Sequence, residues 1–346
     1  MRAPATPAAP ALIDREGSVH RFGAFVTAIA PTRDGRVLGF ALGDGTVRLV
    51  DPATPQVATS VTAHAGACLV LVADLEAGSL LSGGDDGRLV AIAAGREPAG
   101  LGRWQGRWIE AIDAHPKPGL RAVAAGRQVH LLDRGGGLVQ TLEHPSTATG
   151  VAFDPSGQRL AVAHYGGVTL WIGYRDGWRP TLLPWKGSHL AVTWSPSGKF
   201  IVSSMQENVL HGWRLADRRD MRMAGYPAKV RSLSWAVKGR WLATSGADCA
   251  VLWPFKGEDG PMGRQPLTLG MGGELATVVA GHPTQPLVAI GYKDGLVLLA
   301  RVEEQDFVTL KNAGPEPISA MAWTPDGKVL AIGAETGWAA VLPLAR

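Results

Sequence analysis

The stretch Gly225–Trp253, GYPAKVRSLSWAVKGRWLATSGADCAVLW, contains three apolar segments separated by two short turns. The first segment ends at Trp235, and the turns that follow the first and second segments contain Gly239 and Gly246. Glycine in such turns supplies the positive backbone φ that tight hairpins need. The stretch therefore predicts three consecutive antiparallel β-strands.

The same pattern recurs along the chain, for example in ISAMAWTPDGKVLAIGAETG from Ile318 and in VTAIAPTRDGRVLGFALGDGTVRLVD from Val26. The turns between the first and second strands of the copies centre on Gly35, Gly78, Gly119, Gly157, Gly198, Gly239, Pro286 and Gly327. Successive turns are 38 to 47 residues apart. A four-stranded propeller blade takes roughly 40–45 residues, so eight turns predict eight blades.

We therefore predict an all-β chain that forms a single closed eight-bladed β-propeller of four-stranded antiparallel blades. Seven blades and an irregular segment are the alternative, because the copies around Gly78 and Pro286 are degenerate. The last copy has room for only three strands after Gly327, so an N-terminal strand within Ile13–Phe22 is expected to complete the last blade. A ring closed in this way by both ends of the chain leaves no open sheet edge.

The predicted units are a flexible N-terminal tail over residues 1–12 and a propeller over residues 13–346, which begins with the closing strand at 13–22. The blades are expected at about 25–62, 63–104, 105–143, 144–184, 185–225, 226–270, 271–314 and 315–346.

These repeats resemble the WD40-repeat family, and the resemblance extends over most of the chain. Blades of that family carry a Gly-His pair before the first strand, a Ser or Thr in the second, an Asp in the next turn and a Trp-Asp at the end of the third. The matches here are partial: His64, His144 and Tyr226 at the Gly-His position, Ser82 and Ser245 in the second strand, Asp44, Asp86, Asp248 and Asp294 in the turn, and Trp171, Trp213 and Trp253 in the third strand. The resemblance implies a patchy hydrogen-bonded tetrad in a ring that is held together by packing between blades.

Composition restricts the function. The chain is 46% hydrophobic and 18% charged, with a formal net charge of +4. Lys and Arg are scattered except at Arg218, Arg219 and Arg222, so a basic stripe that could follow a phosphate backbone is missing and nucleic-acid binding is a minor alternative. No apolar run is long enough to span a membrane, and the N-terminus lacks the apolar region of a secretory signal. We expect a cytoplasmic protein, and the Ala/Gly/Arg-rich composition suggests a bacterial one.

No catalytic, metal or cofactor site is predicted. HExxH, GxxxxGK[ST] and GxSxG motifs are missing from the sequence, and Cys68 and Cys249 lie too far apart to suggest a disulfide framework or zinc site. His64 and His144 are interpreted as tetrad members, and His115, which precedes a proline, as a turn residue. A ligand- or metal-dependent enzyme with its site in the central channel remains the alternative from another class.

The 12 tryptophans indicate where a partner could bind. Trp104, Trp108 and Trp185 fall in or beside loops that link one blade to the next, and in propellers these loops surround one mouth of the channel. Aromatic and Arg side chains are enriched at binding hot spots. The predicted binding face comprises Trp104, Arg107, Trp108, Tyr165, Trp185, Lys186, His189, Glu207, Lys229, Arg231 and Lys293. The alternative is that the loop tryptophans only cap the blades beneath them.

The sequence thus predicts a monomeric, non-catalytic scaffold or adaptor without a cofactor. It would bind a protein or peptide of unknown identity on the channel-mouth face.

Overall fold

The structure, a computed structural model that describes residues 10–344, contains seven antiparallel β-sheets arranged as the blades of a propeller. The first strands of most successive sheets contact one another, and the first strand of the last sheet contacts that of the first, which closes the ring. Between the fourth and fifth sheets, the indole N–H of Trp235 donates to the hydroxyl of Thr193 at 2.9 Å. Strands in the middle of the sheets are buried along their whole length, as expected where neighbouring blades cover both faces.

The chain begins with the short helix α1 (Leu12–Glu16) and strand β1 (Ser18–Arg21). The first sheet consists of β2 (Val26–Pro31), β3 (Leu38–Leu42), β4 (Thr46–Val50) and β5 (Ala58–Thr62). The second consists of β6 (Cys68–Ala73), β7 (Ser79–Gly84), β8 (Arg88–Ala93) and β9 (Ala99–Arg103). The third consists of β10 (Ile112–His115), β11 (Leu120–Ala125), β12 (Gln128–Leu132) and β13 (Leu138–Glu143). The fourth sheet consists of β14 (Gly150–Phe153), β15 (Arg159–Tyr174), β16 (Gly177–Trp194), β17 (Phe200–Met205), β18 (Leu210–Arg214) and β19 (Arg219–Met223).

The fifth sheet consists of β20 (Leu233–Ala236), β21 (Trp241–Thr244), β22 (Ala250–Pro254) and β23 (Leu267–Leu269), with a 3₁₀ turn at Val237–Gly239. The last two consist of β24 (Ala276–Gly281), β25 (Leu287–Tyr292), β26 (Val297–Arg301) and β27 (Phe307–Lys311), and of β28 (Ile318–Trp323), β29 (Val329–Ala334) and β30 (Trp338–Pro343) together with β1.

The number of blades corrects the prediction: the structure has seven sheets, so the expectation of eight four-stranded blades is wrong. The two repeats whose first turns contain Gly157 and Gly198 share the six-stranded fourth sheet. β15 extends over 16 residues and β16 over 18, and each turns sharply within its length, at Gly166–Gly167 and at Gly187, where φ is positive. The ladder continues because Tyr165 pairs with Ser188 and because His189, in the same strand, pairs with Met205.

The two ends of the chain meet in the last sheet. β1 pairs with β30 in antiparallel register, from Ser18 opposite Val341 to Arg21 opposite Trp338. A flexible tail was expected over residues 1–12, and residues 1–9 of it lie outside the described residues. In the described part, Ala11 is buried and Leu12 begins α1. α1 packs Ile13, 2% exposed, into the core beside the last sheet.

Side-chain hydroxyls on the first strands join neighbouring sheets around the channel. Thr277 donates to the carbonyl of Ile318 and Ser319 to the carbonyl of Val26, each at 2.6 Å. Both hydroxyl groups therefore have hydrogen-bond acceptors within the protein.

Among residues 10–344, no helix is long and apolar enough to cross a membrane.

Candidate interaction face

One end of the propeller carries the loops that enter the first strand of each sheet and the turns between second and third strands. We call this end the channel-mouth face. Four large apolar side chains on it are strongly exposed: Phe25 (41%), Trp108 (64%), Tyr165 (57%) and Met271 (74%). Large apolar side chains that stay exposed in loops beside a channel mouth are candidates for contact with a partner.

The three loop tryptophans differ in their surroundings. Trp108 is exposed, whereas Trp104 stacks on His130 with ring centroids 5.1 Å apart, and Trp185 stacks on His211 at 3.8 Å and 16° between the ring planes. The structure therefore makes Trp104 and Trp185 largely packing residues and leaves Trp108 available to a partner. Sequence reasoning missed a signal here: in both stacked pairs the histidine follows the tryptophan by 26 residues.

The contrast between Trp185 and Trp108 predicts a difference in stability. Trp185→Ala should lower the free energy of unfolding by about 2 kcal/mol, because it uncovers the face of the buried His211 ring and leaves a void. Trp108→Ala should change it by less than about 0.5 kcal/mol, since the ring is mostly in water already. Urea unfolding of both variants tests this, and equal destabilisation by the two changes would contradict it.

His189 lies in the core and not on the face where it was predicted. It is 0% exposed, its Nδ1 lies 2.7 Å from the Ser203 hydroxyl, and its Nε2 lies 3.1 Å from the Trp185 carbonyl. Its side chain therefore holds the Trp185 loop in place and cannot reach a partner.

Two tetrads predicted from the sequence are formed in part. His64 lies 3.0 Å from Asp86 and 2.9 Å from the hydroxyl of Ser82, which confirms these three residues as a structural group. The Trp171 indole N–H donates to His144 at 3.0 Å, which confirms a structural role for that histidine as well.

The tetrad around Tyr226 uses a different hydroxyl from the one predicted. The Tyr226 hydroxyl accepts the indole N–H of Trp253 at 2.6 Å and lies 2.7 Å from the hydroxyl of Thr244. The neighbouring Ser245 instead accepts a backbone N–H from Ser232. Thr244 lies at the end of β21, so its side chain and not that of Ser245 points toward the tetrad.

The remaining predicted residues lie on the channel-mouth face in two groups. Arg107, Lys186 and Glu207 are exposed on separate loops or turns, as is Tyr165. The second group, Lys229, Arg231 and Lys293, converges on one pocket of about 550 Å³ that opens at the channel mouth. Phe25 and Glu335 also line this pocket but were missed, because a single apolar or acidic residue in a loop carries no repeat signal.

A larger groove of about 890 Å³ lies elsewhere, between the first two sheets. Its charged lining residues are of mixed sign, namely Asp34, Arg36, Asp51, Arg96 and Glu97. The lining contains no aromatic side chain. It therefore offers neither an anchor nor a surplus of one charge.

The buried thiols are poor nucleophiles. Burial raises the pKa of Cys68 and of Cys249 to about 11, so both are protonated near neutral pH. Within the described part of the chain, no group of three or more His, Cys, Asp and Glu side chains is placed to hold a metal ion.

The closed ring of antiparallel sheets defines a β-propeller. The profile described as "WD domain, G-beta repeat" matches residues 221–253, and that described as "Anaphase-promoting complex subunit 4 WD40 domain" matches residues 281–344. The crystal structure of the computationally designed Ika8 protein is similar in fold, with a TM-score of 0.77 and 17% identity over 94% of this chain and 98% of that chain. No curated protein sequence matches the chain. The two repeat matches and the arrangement of antiparallel sheets support a WD40-repeat β-propeller, in agreement with the resemblance seen in the sequence.

Proposed function

We propose that this propeller is a non-catalytic scaffold or adaptor that binds a partner protein on its channel-mouth face, with Trp108 as an anchor. The exposure of four large apolar side chains around one mouth of the channel carries the proposal. The Trp108 side chain is 64% exposed in the free protein. Its burial by a partner would therefore contribute strongly to the free energy of binding.

The family comparison supports the same class of function. WD40 propellers generally mediate protein–protein interactions, and one matching profile is named for a subunit of a multi-protein complex. We extend this to the present chain as a monomer in a bacterial cytoplasm, a setting suggested by the sequence alone.

Trp108→Ala should reduce capture of the partner by about 30-fold or more, the effect of losing a hot-spot side chain worth 2 kcal/mol. The measurement is quantitative mass spectrometry of proteins cross-linked to the tagged propeller in its own cells. Tyr174→Ala is the matched control, because Tyr174 is 53% exposed but lies in a hairpin at the opposite end.

The control should retain the partner, and both variants should melt close to the wild-type temperature. Unchanged capture by Trp108→Ala, or equal loss in the two variants, would place the partner elsewhere and overturn the proposal.

A further inference from the structure

The pocket at the channel mouth has two chemically distinct parts. Its wall is built from the first strands of three sheets and includes Ile29, Val278, Ala320 and Met321. Its rim carries charged side chains from the loops above. A pocket of several hundred Å³ with an apolar wall and a few polar groups has the form of a binding site.

The hydroxyl groups in the wall are already engaged. Thr277 and Ser319 donate to backbone carbonyls of the next sheet, and the Ser232 hydroxyl accepts the backbone N–H of Val279 at 3.0 Å. With these groups satisfied inside the protein, the wall favours an apolar guest over one that needs hydrogen bonds.

The rim has an excess of positive charge. Lys229, Arg231 and Lys293 line the pocket with a single carboxylate, Glu335. None of the three cations makes a salt bridge with any residue in the described range 10–344. Lys229 donates only to the neutral amide of Gln206, at 2.7 Å.

The excess is local to this pocket. Other carboxylates of the same face, including Asp248 and Glu274, lie on neighbouring loops but do not line it. A nucleic acid would need cations along an extended path. Three cations around one apolar pocket instead match a short ligand with clustered negative charge and an apolar group.

Building on the proposed function, we propose that this pocket binds an acidic peptide segment of the partner. An apolar side chain of the segment enters the pocket between Ile29 and Met321, and flanking Asp or Glu side chains pair with Lys229, Arg231 and Lys293. The anchor Trp108 and this pocket would then contact different parts of one partner.

The test selects random 12-residue peptides displayed on phage against the whole immobilised propeller, and then measures a selected peptide by fluorescence anisotropy. We expect sequences with Asp or Glu on both sides of an apolar residue, and binding that weakens with added salt. The variant K229Q/R231Q/K293Q should bind the peptide about 30-fold more weakly or worse. The matched control R36Q/R175Q/K238Q, with three exposed cations at the opposite end, should bind as the wild type does.

Neutral or basic selected peptides, no enrichment, or a pocket variant within threefold of the wild type would each overturn the proposal. So would displacement of the peptide by an equal concentration of a 20-nucleotide poly-U RNA, which would assign the pocket to nucleic acid. Should the triple variant melt early, Lys293→Glu alone repeats the test at an exposed turn. If the pocket variants still capture the partner that Trp108→Ala loses, the acidic-peptide site fails while the proposed function stands; if Trp108→Ala loses no partner, the proposed function itself fails.

Discussion

Arg121→Met should lower the free energy of unfolding by about 3–5 kcal/mol, because it leaves a buried carboxylate without its counter-ion. Arg121 and Asp74 form a two-pronged salt bridge between the second and third sheets, with N–O distances of 2.6 and 2.9 Å. Their side chains are 5% and 2% exposed. Arg121 also donates to the carbonyl of Asp133 at 2.8 Å, so the pair is tied into the third sheet.

The double variant Asp74→Ala/Arg121→Met should recover much of that loss, since it removes both charges from the interior. Arg179→Met is the control: its partner Asp176 is 66% exposed, and a surface pair of this kind contributes about 1 kcal/mol or less. Urea unfolding gives all three values. If the double variant is as unstable as the single one, the cost comes from lost packing and not from an unpaired charge.

The class of fold could be predicted from the sequence because alternating strands and glycine turns recur with a fixed period. The blade count could not. A repeat spacing of 41 residues, as from Gly157 to Gly198, is the same whether two repeats form two sheets or share one. The outcome depends on whether residues 185–188 stay in the ladder, and this is decided by the pairing of Tyr165 with Ser188 across the sheet.

The candidate face was predicted in outline, since loops that precede first strands must lie at the same end of every blade. The exposure of each side chain could not be predicted in this way. Trp108 and Trp185 occupy similar loops, but only Trp185 has a histidine ring, that of His211, directly beneath it. The convergence of Lys229 and Lys293 on one pocket likewise depends on how neighbouring sheets pack around the channel. Local sequence does not predict this packing.

Two buried histidines should make the propeller sensitive to mild acid. His144 must keep Nε2 unprotonated, because Nε2 accepts the indole N–H of Trp171 at 3.0 Å, while Nδ1 lies 3.3 Å from the carbonyl of Arg127. Burial is the main cause that lowers the pKa of His144 from its ordinary 6.5 to about 4, and the neighbouring His164 adds to it.

His211 has the same pKa for a related reason. Neither of its ring nitrogens has a hydrogen-bond partner among the described residues, and Trp185 covers its face. Burial therefore lowers its pKa to about 4, against the opposing effect of Asp220, while His189 and Arg222 lower it further.

Because both pKa values lie below the ordinary 6.5, the folded state favours neutral histidine. The contribution of the two histidines to stability is complete above pH 6.5 and is lost as the pH falls toward 4. Between pH 7 and pH 4.5 each histidine should cost the folded state about 2 kcal/mol. His144→Gln/His211→Phe keeps an acceptor for Trp171 and a ring against Trp185 but cannot take up the protons.

We expect urea unfolding to show that the wild type loses about 4 kcal/mol more than the double variant over this interval. Burial raises the pKa of Asp113 to about 6, which gives it the opposite pH dependence, but Asp113 is common to both proteins and cancels in the comparison. Parallel losses in the two proteins would show that the acid sensitivity arises elsewhere, because the variant lacks the titrating rings of His144 and His211.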